Sequence, residues 1–300
     1  MKKVLVIGST NVDLVEKCNR FPARGETVIG QSFNMYLGGK GANQAVATTY
    51  TGVNTTFLTC IGNDSNGKFA LDELNKLGVN VKPIYKKENT GTAIILVEEE
   101  TGENQIIING DANTAFSCED VDKNVDLIKE SDYILLQLEI PLDTIRHIVK
   151  LAKKYNKEVI LNPAPFVKLD DDILENITYI TPNEGELAKL ADGNDSFLDN
   201  ANKLLDKKVK NIIVTLGSKG SIFVDKNRQI KIDSMKQKAI DTTGAGDCYN
   251  GTFVGFLAQG YNIEDSLKIA SIASGLSVTR QGAAKSYFKK EEILNIYNKW

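Results

Sequence analysis

Histidine is nearly missing from this sequence, and cysteine is rare. His147 is the single histidine among 300 residues, and the four cysteines, at positions 18, 60, 118 and 248, form no C-x-x-C pair. These absences exclude a Cys/His zinc site and a catalytic apparatus built on several histidines. We interpret the cysteines as buried thiols of a reducing compartment and His147 as a surface or satisfied side chain in a helix.

Basic tracts and long apolar runs are also missing. The net charge is −3, and no tract of lysine and arginine would neutralise a nucleic-acid backbone, so nucleic acid is not expected as a partner. No run approaches the roughly 20 apolar residues that a membrane span needs. The apolar stretch 4–7 is too short for the core of a signal peptide. The sequence therefore predicts a cytoplasmic protein without a membrane partner.

A regular alternation of apolar strands and amphipathic helices is present instead. Short buried strands are predicted at 4–7, 55–61, 133–138, 158–161, 179–180 and 211–216. Helices are predicted at 64–77, 119–129, 142–155, 197–205, 248–258 and 263–278, among others, and an edge hairpin at 219–233. This alternation predicts one α/β domain over residues 1–300, with a mostly parallel central sheet and helices on both faces.

Four other segments are predicted as strands outside the main core: the first alternates, the second is half-buried, and the last two are joined by an acidic turn. They are residues 12–17, 27–36, 92–98 and 104–109. Such strands do not belong in a sheet that is buried on both faces. We predict that they form a separate small β-sheet, inserted as about residues 10–37 and 90–110.

Polar side chains follow several strands of the predicted central sheet. Asn11 and Asp13 follow the first strand, Glu139 follows 133–138, and Asn183 and Glu186 follow 179–180. The carboxyl ends of parallel strands meet at one edge of an open α/β sheet, and ligands bind there. We therefore expect a site at this edge.

The stretch that most clearly indicates chemistry is residues 241–251, Asp-Thr-Thr-Gly-Ala-Gly-Asp-Cys-Tyr-Asn-Gly. It lies between a segment predicted to be extended, 230–240, and the predicted helix 248–258. Gly244, Ala245 and Gly246 can turn tightly and direct N–H groups toward an anion at the positive end of the helix dipole. Asp247 beside them is placed to accept the proton of an attacking hydroxyl, which indicates phosphoryl transfer. An ordinary helix start capped by an aspartate is the alternative.

A second glycine motif is a decoy. Residues 62–68 match the spacing G-x-x-x-x-G-K, but Phe69 stands where a P-loop needs Ser or Thr to hold Mg²⁺. We predict a turn here, with Asp64 or Ser65 capping the following helix.

Two segments resemble the two signatures of the ribokinase/PfkB family of sugar kinases. They are residues 38–45, Gly-Gly-Lys-Gly-Ala-Asn-Gln-Ala, and residues 241–247. Ordered matches at 9–13, 25–28, 137–139, 162–165, 181–184 and 278–283 extend the resemblance over essentially the whole chain. The resemblance implies the ribokinase-like fold, with the small sheet as a lid, and ATP-dependent phosphorylation of D-ribose at its 5-hydroxyl.

The resemblance also implies residue roles. The sugar would be bound by Asn11, Asp13, Gly38, Gly39, Lys40, Asn43, Glu139 and Asp247. Asp247 would be the base, with an anion hole formed by Gly244, Ala245 and Gly246. ATP would be bound by Asn183, Thr215, Gly217, Ser218, Gly220, Gly246 and Ser271. Because Asp247 lies at a helix N-terminus, we expect its charged form to be favoured.

Two metal ions are implied in the same way. Asn183 and Glu186 match the family's N-x-x-E motif, which places Mg²⁺ through water; a helix cap with a first-turn carboxylate is the alternative. K⁺ is implied at Asp241, Thr243, Ser277, Arg280, Gly282 and Ser286, several through backbone carbonyls. Two positions depart from the family pattern, because Asp111 replaces a glycine and Lys285 replaces a proline.

The resemblance further implies a homodimer in which two lids pair, since an exposed apolar sheet face favours association. Three alternatives stay open. One is a kinase for 2-deoxyribose, another pentose or a hexose such as fructose. The second is a nucleoside kinase, and the third is a non-catalytic sugar sensor on the same fold.

Overall fold

The computed structural model describes residues 2–193 and 196–300. In these ranges the strands are β1 Lys3–Ile7, β2 Asn11–Cys18, β3 Gly30–Gly38, β4 Asn54–Gly62, β5 Asn80–Lys86, β6 Gly91–Glu98, β7 Asn104–Asn109, β8 Tyr133–Leu136, β9 Glu158–Leu161, β10 Tyr179–Ile180, β11 Asn211–Thr215, β12 Ser221–Val224 and β13 Gln229–Ile232.

The helices of the same ranges are α1 Lys40–Tyr50, α2 Ser65–Lys76, α3 Cys118–Lys123, α4 Val125–Glu130, α5 Leu142–Lys154, α6 Asp171–Leu174, α7 Glu184–Leu190, α8 Phe197–Asp206, α9 Ala245–Ala258, α10 Ile263–Ser277 and α11 Lys290–Tyr297. Short 3₁₀ turns lie at Asp111–Asn113, Gly217–Lys219 and Ala284–Ser286. No helix in the described ranges is long and apolar enough to cross a membrane.

Nine strands of the described chain form a large sheet in the order β13-β12-β11-β10-β9-β8-β1-β4-β5. Every neighbouring pair from β11 to β5 is parallel, whereas β12 and β13 form an antiparallel hairpin at one edge. The predicted mostly parallel sheet and edge hairpin are confirmed. Successive strands lead from β1 to one edge and from β8 toward the other, so the strand order reverses between β1 and β8. Ligand sites of open α/β sheets lie at such a reversal.

Helices cover the large sheet on both faces. In β1, Val4 and Val6 belong to one apolar cluster, with side chains of α1, α9 and α10. Leu5 and Ile7 belong to a second cluster, with side chains of α5 and α8. A strand that is buried on both faces has no polar side to present, which explains the continuous apolar run at 4–7.

The small sheet has the order β3-β2-β6-β7, with β2 and β6 parallel and the outer pairs antiparallel. β2 and β6 leave the large sheet beside the ends of β1 and β5, so the small sheet stands over the carboxyl edge. Its outer strand β7 is exposed along its whole length, and Ile106, Ile107 and Ile108 are 52%, 63% and 60% exposed.

Several predicted boundaries were wrong. The helix expected over 119–129 is two helices, because α3 ends at Asn124, whose N–H bonds the Val121 carbonyl. The segment expected to be extended over 230–240 is strand only as far as Ile232. The helix expected from residue 248 begins at Ala245, after a left-handed Gly244. The sequence analysis also missed β5, an edge strand that contains Pro83 and pairs with β4.

The cysteine, histidine and decoy predictions are largely confirmed. Cys18, Cys60 and Cys248 are buried free thiols, but Cys118 is only partly buried. His147 lies at the surface of α5 and pairs with an aspartate. In the decoy, the Asp64 side chain accepts a hydrogen bond from the Gly67 N–H and caps α2.

Candidate active site

The two segments that resemble family signatures meet at the carboxyl edge of the large sheet. Asp247, in the first turn of α9, accepts a hydrogen bond on Oδ2 from Asn43 Nδ2 (3.1 Å) and one on Oδ1 from Gln44 Nε2 (2.9 Å). Both amides stand in the first turns of α1, which packs along α9. The carboxylate is 7% exposed. The fold thus brings together groups that are about 200 residues apart in sequence and shuts them from water.

The expected electrostatics of Asp247 were wrong. Burial raises the pKa of Asp247 above its ordinary value, although the Lys40 charge and the two amides oppose this rise. The helix N-terminus was expected to dominate, but a carboxylate that has lost its hydration gains less from the helix than it loses from water. A raised pKa makes Asp247 a stronger base than its position in the sequence indicates.

Lys40 and Glu139 complete the wall around Asp247. Glu139 Oε2 accepts hydrogen bonds from the Ser9 hydroxyl and from the Lys40 backbone N–H (2.9 Å). The Glu139 carboxylate, which follows β8, therefore accepts a hydrogen bond from the first N–H group of α1. The Lys40 ammonium lowers the pKa of both Asp247 and Glu186, so its charge acts on both sides of the site.

The start of the small sheet supplies a second group of polar side chains. Burial, with a contribution from the Glu139 charge, raises the pKa of Asp13 to about 6. Asn11 Oδ1 accepts a hydrogen bond from Asn113 Nδ2 (2.8 Å), which holds the Asn11 amide. A Cβ on Gly38 would lie 2.1 Å from Asp13 Oδ1. Asn11, Asp13 and Gly38 are thus packed together without room for a larger residue.

Gly39 separates the small sheet from α1 with a backbone that needs glycine. Its φ is +91°, and a Cβ there would lie 2.9 Å from both the Asn11 nitrogen and the Ser9 oxygen. Only glycine allows the chain to turn this tightly against the end of β1. The turn aims the Lys40 N–H at the carboxylate of Glu139 and the Gly41 N–H at the Ser9 hydroxyl.

A cavity of about 600 Å³ opens on the other side of the Asp247 turn. The predicted nucleotide residues Thr215, Gly217, Ser218, Gly220, Gly246 and Ser271 line it, and Asn183 is not among its lining residues. The sequence did not indicate the irregular segment 234–239 or the side chains of Tyr249, Ser274 and Val278 on its walls. The Ser271 hydroxyl holds this segment by donating to the Asp233 carbonyl (2.8 Å).

The predicted anion hole lies between this cavity and Asp247. Gly244 has φ +72° and is packed closely, since a Cβ would lie 2.6 Å from Ala283 Cβ and 2.7 Å from Tyr287 Oη. A Cβ on Gly246, by contrast, would meet nothing within 4 Å. The Ala245 N–H donates to the Thr242 carbonyl (3.2 Å), whereas the N–H groups of Gly246 and Asp247 have no acceptor within the helix.

The residues predicted to hold K⁺ form a neighbouring loop pair. Asp241 accepts hydrogen bonds from the N–H (2.9 Å) and hydroxyl (2.6 Å) of Thr243 and from the Gly282 N–H (2.8 Å). The hydroxyls of Ser277 and Ser286 donate to backbone carbonyls, and the Arg280 guanidinium stacks 3.6 Å from the Phe288 ring centroid. The donor set fits a monovalent cation only through backbone oxygens, beside the single charge of Asp241.

The residues predicted to place Mg²⁺ form a reciprocal helix cap. Glu186 accepts from the Asn183 N–H (2.9 Å), and Asn183 Oδ1 accepts from the Glu186 N–H (2.8 Å). Burial raises the pKa of Glu186, against the Asn183 bond and the charges of Lys40 and Lys189. No group of three or more His, Cys, Asp or Glu side chains that would hold a metal occurs in the described ranges. One carboxylate fits a Mg²⁺ ion that keeps its waters and binds phosphate oxygens.

Two polar residues of the site were not among the predicted ones. Gln44 stands directly after Asn43 in the 38–45 segment, and that position was its only signal. Asn113 binds the backbone of Thr10 with both ends of its amide. Its Oδ1 accepts from the Thr10 N–H (2.9 Å), and its Nδ2 donates to the Thr10 carbonyl (3.1 Å). Its position next to Asp111, which has a left-handed φ of +42°, marked the segment as unusual but gave Asn113 no role.

Comparison with known proteins shows which family the chain belongs to. The family model described as pfkB family carbohydrate kinase matches residues 1–290. The chain is 39% identical to a ribokinase of Schizosaccharomyces pombe over 99% of this chain and 98% of that protein. It is 36% identical to a deoxyribokinase of Salmonella typhi over 97% of both. The structure of Arabidopsis thaliana ribokinase complexed with ribose and ATP matches with a TM-score of 0.92 and 30% identity, over 99% and 98% of the two chains. The chain therefore belongs to the pfkB family of carbohydrate kinases, and it is a phosphotransferase.

Proposed function

We propose that this protein transfers the terminal phosphoryl group of ATP to the 5-hydroxyl of D-ribose. The observation that carries the proposal is the position of Asp247, which is buried between a polar cage and a cavity of about 600 Å³. The polar cage is the group formed by Asn11, Asp13, Gly38, Gly39, Asn43 and Glu139. The ribokinase of S. pombe and the ribose and ATP complex of the Arabidopsis ribokinase support this choice of substrates.

The cage suits an uncharged sugar that has several hydroxyls. Asn11, Asp13 and Glu139 offer amide and carboxylate groups, while Gly38 and Gly39 let the backbone approach the ring. The Asn43 Oδ1 atom is buried without a partner in the described chain, and it would accept a sugar hydroxyl. A site built from such groups discriminates strongly against analogues that lack the hydroxyl.

The transfer would need little covalent chemistry from the protein. Asp247 takes the O5 proton as the bond between O5 and the γ-phosphorus forms, and ADP leaves with the electron pair of the broken phosphorus–oxygen bond. Gly244, Ala245 and Gly246 form the anion hole for the transferred group, with the Ala245 N–H exchanging its bond to Thr242. The Lys40 ammonium neutralises charge between sugar and phosphate.

Two cations complete the proposal. Asn183 and Glu186 would place Mg²⁺ through water, where the ion neutralises the phosphates. Asp241, Thr243, Ser277, Arg280, Gly282 and Ser286 would hold K⁺ next to the anion hole. Because the Gly282 N–H binds Asp241, an ion in this loop would stabilise the turn that leads into α9.

The small sheet is proposed to act as a lid that closes on the sugar and pairs with a second copy of the chain. The exposed isoleucines of β7 support this proposal, since a contiguous apolar face is costly in water. Closure would exclude water from the transferred phosphoryl group and limit wasteful hydrolysis of ATP.

A kinase for 2-deoxyribose is the second candidate, and the 36% identity to the S. typhi deoxyribokinase favours it. That sugar lacks one hydroxyl, so it would leave one polar group of the cage unpaired. We expect ribose to be preferred because Asp13 is packed to accept hydroxyls on one side of the ring.

The test is ADP release with Mg²⁺ and K⁺, comparing ribose, 2-deoxyribose, fructose and adenosine. We expect the highest kcat/KM for ribose and a fall in kcat of at least about 100-fold in Asp247→Asn, since the base is removed. The matched control is Asp126→Asn, which removes the same charge from the first turn of the exposed helix α4. A higher kcat/KM for another acceptor would contradict the sugar assignment, and an active Asp247→Asn would contradict the role of the base.

A further inference from the structure

A chain of buried amides contacts Asp247, and none of its members lines the cavity. Gln137 Nε2 donates to Gln44 Oε1 (2.7 Å), and Gln44 Nε2 donates to Asp247 Oδ1 (2.9 Å) and to Asn162 Oδ1 (3.1 Å). Asn162 Nδ2 in turn donates to the Thr181 carbonyl (3.1 Å). Gln44 and Gln137 are 0% exposed. We call Gln137, Gln44 and Asn162 the amide relay.

The amide relay has one orientation that gives the ionised Asp247 a donor, although Gln137 Oε1 is buried without a partner in the described chain. Gln137 occupies Gln44 Oε1, so Gln44 must turn its NH₂ group toward the carboxylate. A reversed Gln44 amide would place Oε1 against Asp247 and its NH₂ group against the donor from Gln137. The space for Gln137 is itself built into the end of β1, because a Cβ on Gly8 would lie 2.0 Å from Gln137 Oε1.

We propose that Gln44 is a positioning residue for phosphoryl transfer, and that the amide relay binds Asp247 Oδ1 so that Oδ2 faces the acceptor hydroxyl. This rests on the proposed role of Asp247 as the base. Oδ1 receives the shorter bond, from a donor that is held on both sides, whereas Oδ2 receives the longer bond, from Asn43. In this proposal Oδ1 is held by the amide relay, and Oδ2 accepts the proton of the acceptor hydroxyl.

The relay also opposes the effect of burial on the carboxylate. Burial is the main cause that raises the pKa of Asp247, and the Gln44 bond lowers it, together with the Lys40 charge and the Asn43 bond. The other titratable groups that act on or beside Asp247 are Glu139, which raises its pKa, and Cys248 and Tyr287. Burial raises the pKa of Cys248 to about 12 and that of Tyr287 well above its ordinary value, so both stay neutral near pH 7.

Loss of the Gln44 donor is expected to reduce activity most at low pH. Asp247 must be ionised to accept a proton, so activity is lost as the pH falls through its pKa. Without the donor from Gln44 the ionised form is less stable, and the pKa rises further. The acidic limb of the kcat profile then moves to higher pH.

The test measures kcat and KM between roughly pH 5.5 and 9 for Gln44→Met and Gln137→Met. We expect the acidic limb to move up by about one to two pH units in Gln44→Met and by less in Gln137→Met, because a hydrogen bond to a charged group has about that effect on ionisation. The KM for the sugar should change less than about threefold, since neither side chain belongs to the cage. Whichever acceptor the wild type phosphorylates serves for these measurements.

Thr48→Val is the matched control. Thr48 lies one turn further along α1, is also buried, and donates its hydroxyl to the Gln44 backbone carbonyl (2.7 Å) without reaching the relay amides. A merely structural role for Gln44 predicts that Gln44→Met and Thr48→Val lower stability alike and leave the pH profile unmoved. That result would overturn the proposal.

A second measurement does not depend on turnover. The carboxyl ¹³C resonance of Asp247, identified by its loss in Asp247→Asn, is titrated in wild type, Gln44→Met and Gln137→Met. A higher apparent pKa in the relay variants supports the proposal, and equal values contradict it. If no acceptor is phosphorylated, the proposed function fails while this titration still decides the relay. If Gln44→Met does not fold, Gln137→Met, which does not touch Asp247, gives the answer.

Discussion

The two sheets of this protein differ in what covers them. Both faces of the large sheet are buried under helices, and side chains such as Leu5, Ile134 and Ile212 are 0% exposed. The outer strand of the small sheet, β7, presents three consecutive isoleucines to solvent. The large sheet is therefore covered within the described chain, whereas the outer strand of the small sheet is exposed.

This difference matches a division of tasks. Asp247 and the amide relay lie at the ends of the buried sheet, where close packing holds side chains in one orientation. Asn11 and Asp13 begin the small sheet, whose outer strand is exposed. The proposed base would thus lie on the packed sheet and the proposed sugar residues on the exposed one, as the proposed lid closure needs.

The largest effect is expected from glycine substitutions that compare a packed helix start with an open one. In Gly41→Ala the new Cβ would lie 2.5 to 2.7 Å from backbone atoms of Gly8 and Ser9, which cannot move aside. We expect the free energy of unfolding to fall by about 3 kcal/mol or more, because overpacking against backbone cannot relax. Chemical denaturation followed by circular dichroism measures this loss.

Gly246→Ala is the counterpart, since its Cβ enters open space in the cavity. We expect its unfolding free energy to stay within about 1 kcal/mol of wild type, because alanine suits a helix. Its kcat/KM for ATP should fall by about 10- to 100-fold, because a methyl group would occupy space proposed for the phosphates. Full activity in Gly246→Ala would contradict the proposed anion hole at residues 244–246.

An intermediate effect is expected from Asp13→Asn. The folded pKa of about 6 exceeds the ordinary value of 3.8, so ionising Asp13 costs more in the folded state. This penalty is absent below about pH 4 and fully present above about pH 6. Asp13→Asn should therefore raise the free energy of unfolding by about 1–3 kcal/mol at about pH 8, allowing for partial exposure, and change it little at about pH 4. Urea denaturation at both pH values checks this, with Asp126→Asn as an exposed control.

The same group predicts how sugar affinity depends on pH. If ionised Asp13 accepts sugar hydroxyls as proposed, the KM for ribose should rise as the pH falls below about 6, by about tenfold at one unit lower. In Asp13→Asn the KM should be high at every pH and lack this dependence. An unchanged KM in the variant would remove Asp13 from the sugar site.

The smallest effect on the single chain is expected at the exposed end of the small sheet. Ile107→Ser should change the free energy of unfolding of the isolated chain by less than about 0.5 kcal/mol, because the side chain is already in water. Self-association, measured by sedimentation velocity, should weaken. Ile240→Ser, at a side chain of nearly equal exposure outside the small sheet, is the control. Equal sedimentation of both variants and wild type would contradict lid pairing.

Local patterns in the sequence predicted most of the architecture. The apolar run in β1, the alternating residues of β2 and the Asp64 cap are properties of short segments, which periodicity and turn chemistry describe. The errors in predicted elements also concern short segments. β5 and the division of the 119–129 helix at Asn124 have weak sequence signals, and strand pairing and packing determine both.

The amino-acid sequence alone predicted most of the strands and helices, the glycine-rich turns at the site, and the resemblance to the family. The state of Asp247 was decided by the tertiary structure. Its pKa depends on burial and on amides from Asn43 and Gln44, about 200 positions away, which no spacing rule connects to it. Propensity acts between neighbours in the chain, whereas desolvation and hydrogen bonding act between neighbours in space.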